Sequence, residues 1–203
     1  MHLLKNFILI VLSLLTSQFV MYYFIDELIV VFAASPVPYI LGRFLLAFVI
    51  FGCFKFLMKE FEIESIYINL AMILYLVFLF SITLFRGNSK STDSNFMPFN
   101  FLTYASEANL STFTAAVLIN MLMLAPLGAY LRIKNIKFAF SWQVILYGSL
   151  IIEGLQFFTK RGSFDVDDLM LNTLSGGLAY LAVGLIHKQI PKAQLSNSFR
   201  KSS

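Results

Sequence analysis

Six separate runs of about twenty apolar residues decide what this chain can become, because each is long enough to cross roughly 30 Å of hydrocarbon as one helix. They cover residues 3–25, 38–57, 66–85, 113–131, 138–158 and 169–187. In a bilayer core every backbone polar group must be satisfied within its own segment, and for runs this apolar the helix is the form that does so. Composition agrees. Of the 203 residues 59% are hydrophobic, 23 are Phe and only 13% are charged, where a soluble domain carries about a quarter. The expected fold is an all-α integral membrane protein, a bundle of about six transmembrane helices.

The first run competes with a signal peptide. It is longer than the roughly 7–15 residues of a signal h-region, and Asp26 and Glu27 precede the small-residue pair Ala33-Ala34, so a retained first helix is expected. Ahead of the second run, residues 28–34 are also apolar and Pro36 and Pro38 interrupt them, which suggests a short surface-lying helix before the crossing. The lone cysteine, Cys53, sits inside an apolar run and is read as packing.

The net charge of +4 arises from 15 Lys and Arg that fall mainly between the runs and after the last one. No basic surface interleaved with aromatics exists, so nucleic acid is not an expected partner. With the N-terminus inside, alternate crossings put Lys5, Lys55, Lys59, Arg132, Lys134, Lys137, Lys188, Lys192, Arg200 and Lys201 in the cytoplasm, against Arg43, Arg86, Lys90, Lys160 and Arg161 outside. This excess favours both termini in the cytoplasm. The segments 86–112 and 159–168 then face outward. The first of them turns apolar at Phe96-Met97-Pro98-Phe99-Asn100-Phe101, either as an aromatic belt at the headgroups or as a lid over a cavity.

Charge near hydrocarbon is costly and needs a partner, a ligand or a capping role. Four of the eleven acids, Glu153, Asp165, Asp167 and Asp168, lie between the fifth and sixth runs. Glu153 and Gln156 share a helical face, as do Asp165, Asp168 and Asn172. In the fourth run Asn120 is followed by Pro126 and Gly128, and the proline predicts a kink near Leu122. Capping and interhelical hydrogen bonds account for single residues of this set. Depth counting puts Asn120, Glu153 and Asn172 in one outer slice beneath Arg161 and the aspartates, which together suggest a polar pocket open to the outside.

From the third run onward the motifs resemble those of the VanZ-like family of small bacterial membrane proteins. Thr83-Leu84-Phe85-Arg86 is similar to its first motif, Asn95-Phe96-Met97-Pro98-Phe99 to its N-x-x-P-F element, and Asn120 with Ala125-Pro126-Leu127-Gly128 to its N-x(5)-P-L-G helix. Glu153-Gly154-Leu155-Gln156 is similar to its E-x-x-Q, and Arg161 to Asp168 with Asn172 to its R…F-D-[IV]-x-D…N signature. Ser175 and Ala179 stand where glycine is expected, a departure that bears on helix packing. The resemblance divides the chain into a two-helix region without family motif, 1–65, a VanZ-like transmembrane domain, 66–190, and a disordered cytoplasmic tail, 191–203.

The family's namesake is associated with low-level resistance to teicoplanin, a lipid-bearing glycopeptide. The resemblance therefore implies a bacterial cell-membrane protein of the envelope, in contact with membrane lipids, whose outward pocket takes a lipoglycopeptide or a lipid-linked cell-wall precursor. Arg86, Asn95, Asn120, Gln156 and Asn172 are the expected ligand-binding residues. The alternative is a membrane enzyme on a lipid-linked envelope substrate. In it Glu153 is the general acid or base, Arg161 clamps an anionic group, and Asp168 joins Asp165 and Asp167 in holding a divalent cation. A transporter is disfavoured because neither internal repeats nor a charge at the membrane midplane is present.

Overall fold

The computed structural model describes residues 2–26, 34–58, 65–85, 94–100, 117, 120–121 and 123–189, with side chains from residue 4 to 186. Arg86, Phe101, most of the segment 86–112, the stretch 27–33 and the tail from residue 190 lie outside the described residues, and with them the expectations placed there. Among the described residues all regular structure is helical. The helices are α1, His2–Val20, prolonged by a π-turn at Met21–Ile25; α2, Val37–Leu57; α3, Ser65–Leu84; α4, Ala125–Ile133; α5, Phe138–Phe158; and α6, Val166–Gln189. All but α4 are long and apolar enough to cross a membrane. Each of the five carries large exposed apolar side chains, among them Phe7, Phe44, Ile73, Ile151 and Leu181. Left in water, each such side chain would forgo about 1.5–3 kcal/mol of burial, so their natural solvent is lipid.

Two compact units make up the chain, Met1–Gly87 and Asn88–Ser203. In the first, α1 packs on α2 and α2 on α3. Pro36 caps α2 and Pro38 lies in its first turn, where a missing N–H costs nothing. Arg43, counted above as an outer-side charge, stands within α2. Its guanidinium donates to Gln18 Oε1 at 2.7 Å and to Tyr39 O at 3.0 Å, and pairs with Asp26. Ser17 Oγ donates to Arg43 O at 2.6 Å. A charge in an apolar helix is tolerable when satisfied in this way, and the same bonds pin the end of α1 to the start of α2. Toward the opposite ends Lys55 Nζ donates to Asn6 Oδ1 at 3.0 Å, which makes the pair antiparallel.

In the second unit α4, α5 and α6 pack mutually. The α4–α6 register is fixed by close approaches. Asn120 meets Asp168 and Arg132 meets Tyr180, both 48 residues apart, and Gly128 meets Gly176 at the same offset. A constant offset means the two helices run parallel. Glu153 meets Asp165 and Ser149 meets Leu169, so α5 runs antiparallel to α6, as alternate crossings require. Small residues permit the contact: a Cβ on Gly128 would stand 1.8 Å from Gly176 O, one on Gly176 would stand 2.6 Å from Ile145, and one on Gly177 would stand 2.4 Å from Trp142.

The kink expected near Leu122 is a break at Leu124, whose φ of −109° and ψ of 3° are not helical. Leu122 itself lies outside the described residues. Proline disfavours helical geometry just ahead of it, and α4 restarts with Pro126 in its first turn. What runs as one apolar segment in the sequence is therefore discontinuous at this point.

Candidate functional site

The segment between α5 and α6 begins with a tight turn. Arg161 N donates to Gln156 O at 2.9 Å and Lys160 N to Phe157 O at 3.1 Å, with Lys160 at a φ of 56°. A side chain on Gly162 would approach Gln156 within 3.2 Å, so a small residue is needed where the turn folds back on α5. Gln156 is buried and Arg161 half-buried.

Asp165 stands immediately before α6, and its N–H donates to Glu153 Oε2 at 3.3 Å. Glu153, only 1% exposed, thus receives one of the orphan amides at the start of α6, where a carboxylate also suits the helix dipole. Asp165 Oδ1 in turn accepts the Asp167 N–H at 2.8 Å and Asn95 Nδ2 at 3.1 Å.

Asn95 is tied to the same place through its backbone. Its N–H donates to Phe164 O at 2.9 Å, and its carbonyl accepts the Val166 N–H at 3.1 Å, a single parallel bridge. Its side-chain oxygen accepts the Met97 N–H at 3.1 Å. Two residues on, Phe99 N donates to Asp167 Oδ1 at 2.6 Å. The carboxylates of Asp165 and Asp167 thereby clamp residues 95–99 over the start of α6. Phe96 stacks on Phe164 with ring centroids 5.9 Å apart, while Met97 and Phe99 are exposed.

Deeper along α6, Asp168 Oδ1 accepts a hydrogen bond from Asn120 Nδ2. One turn further lies Asn172, 1% exposed, and neither its Nδ2 nor its Oδ1 has a hydrogen-bond partner among the described residues. Its face is set by its neighbours: Asp168 bonds to Asn120, ahead of the break before α4, Leu169 O accepts from Ser149 of α5 at 3.3 Å, and Gly176 touches both α4 and α5. Asn172 is therefore turned into the junction of the three helices. By the 48-residue register it is level with Leu124, the point where α4 is broken.

Glu153, Asn120 and Asn172 do not share one slice. They descend along α6 at the levels of Asp165, Asp168 and Asn172, a ladder of about 10 Å. Sequence spacing alone missed the clamp on residues 95–99, whose partners are 68 and 70 residues apart; the signal available was the apolar turn of that segment next to a surplus of acids. The divalent-cation reading does not fit. Among the described residues no three of His, Cys, Asp or Glu come together where they could hold a metal ion, and Asp165, Asp167 and Asp168 each bond to different partners. Arg86 is outside the described residues.

The VanZ/LLP1 family model matches residues 66–187, well over half of the chain. No curated protein and no solved structure matches it.

Proposed function

Because the chain belongs to the VanZ/LLP1 family, we propose that it is a multi-pass membrane protein of the bacterial cell envelope whose polar ladder binds a lipid-linked ligand. That ligand is a teicoplanin-type lipoglycopeptide or a lipid-linked cell-wall precursor, and binding lowers the effect of the drug. The ladder opens on the extracytoplasmic side, beneath the 95–99 segment. Exposed Met97 and Phe99 rest among the lipids beside it, where the acyl part of such a ligand lies.

The observation that carries the reading is Asn172, a primary amide buried among three helices with both polar atoms unpartnered among the described residues. A buried polar group left without a partner costs about 1–3 kcal/mol. A structure that only needed helix packing would be more stable with leucine there. The test compares a susceptible bacterium with and without the protein. The inhibitory concentration of a lipid-bearing glycopeptide should rise several-fold on expression, and that of a glycopeptide without the lipid should not. Equal inhibitory concentrations at verified membrane expression would end the proposal. So would full resistance from a stably inserted Glu153→Ala/Asp168→Ala double variant.

A further inference from the structure

The geometry points to Asn172 as the seat of a peptide group: the carboxamide pairs with the N–H and C=O of one extended residue of the ligand, at the level where α4 is broken. The inference rests on the reading above only in taking the ligand to be lipid-linked; the chemistry it recognises is argued from the site.

A carboxamide presents one acceptor oxygen and two donor hydrogens. In an extended residue the N–H and the C=O point to the same side, which is how opposed residues of a strand pair exchange two hydrogen bonds. Asn172 Oδ1 would accept the N–H and Asn172 Nδ2 would donate to the carbonyl, satisfying both buried atoms at once. A phosphate offers acceptors with almost no donor and does not complete the pair; a sugar does so only through two adjacent hydroxyls, and dodecyl glucoside carries such hydroxyls as the rival probe.

The surroundings select against full charge. Across from Asn172, Leu124 caps α4 with no side-chain hydrogen bond. Gly128 N donates to Leu124 O at 3.1 Å at the head of α4, and Pro126 has no N–H. This helix start favours a carbonyl oxygen and opposes a cation. Asp168, one turn outward on α6, and Glu153 beyond it oppose an anion. A neutral dipole with a carbonyl at one end and an N–H at the other suits both.

The experiment uses the full chain in lipid nanodiscs, with thermal unfolding as the readout. Three probes share a twelve-carbon tail: N-dodecanoyl-alanine methylamide, dodecyl glucoside and dodecyl phosphate. The blocked alanine should raise the unfolding midpoint in a saturable way, since a ligand of the folded state stabilises by mass action; the other two should not. Asn172→Leu should unfold at or above the wild-type temperature without probe and lose the shift, and Asn172→Asp, which keeps acceptors only, should show a reduced shift. Equal shifts from all three probes, no shift from the alanine, a shift that survives in Asn172→Leu, or an Asn172→Leu protein less stable than wild type would each overturn the inference. Drug susceptibility of the same variants separates the two proposals. Resistance that persists in Asn172→Leu while no alanine shift exists removes the peptide subsite alone, whereas absent resistance with a specific alanine shift removes the resistance role alone.

Discussion

Glu153 shows how one buried carboxylate serves two readings that mutation can separate. Its Oε2 accepts the Asp165 N–H, a task an uncharged carbonyl oxygen can also perform. Glu153→Gln keeps that acceptor and removes the charge; Glu153→Ala removes both. If the residue only caps α6, Glu153→Gln should unfold near the wild-type temperature with resistance intact, while Glu153→Ala should lose about 1–3 kcal/mol. The proposed binding role predicts a different pattern: Glu153→Gln folded and inserted, with its resistance phenotype lost. Unfolding and susceptibility measured on one set of membranes decide between them. Asp167 belongs to the capping kind, since its Oδ1 holds Phe99 in place at a φ of 65°, a left-handed conformation uncommon outside glycine and asparagine.

At the scale of elements, the approach of α4 to α6 at Gly128 and Gly176 leaves no room for a side chain. Gly128→Ala would drive its Cβ into Gly176 O, a backbone atom that cannot rotate away, so the two helices must separate. The expected loss is at least about 2 kcal/mol, in the range of overpacked cores. Gly154 is the matched control, since nothing lies within 4 Å of its Cβ position; Gly154→Ala should unfold within a degree or two of wild type. Equal destabilisation by the two in a thermal scan would contradict the packing described. The sequence made the long helices legible because an apolar run is itself the signal: α5 spans Phe138–Phe158, as expected from hydropathy. It missed the start of α6 at Val166, three residues early, because Asp167 and Asp168 look like loop residues until the helix start that favours acids is in place. It also could not show that Asp165 and Asp167 are occupied by residues 95–99, since local spacing says nothing of a partner about seventy positions away.

For the whole molecule the open quantity is direction. Within the second unit, the bridge between Asn95 and Asp165 puts residues 94–100 and 159–165 at one end, and the α4–α5 turn at residues 134–137 belongs to the other. That turn is basic, with Lys134, Lys137 and, in the last turn of α4, Arg132, whose guanidinium lies 5.3 Å from the Tyr180 ring centroid. Excess Lys and Arg marks the cytoplasmic side, and the proposed function requires the end bearing Asn95, Glu153 and the aspartates to face out. Cysteine labelling can check this, because Cys53, the sole cysteine, can first be replaced by alanine. On that background Met97→Cys, at a position 74% exposed, should react with a membrane-impermeant thiol reagent in intact cells. Lys137→Cys, at the start of α5, should react only after the membrane is opened. The reverse pattern would turn the ladder toward the cytoplasm, where a drug that stays outside the cell has no access to it, and resistance through this site would no longer follow from the geometry.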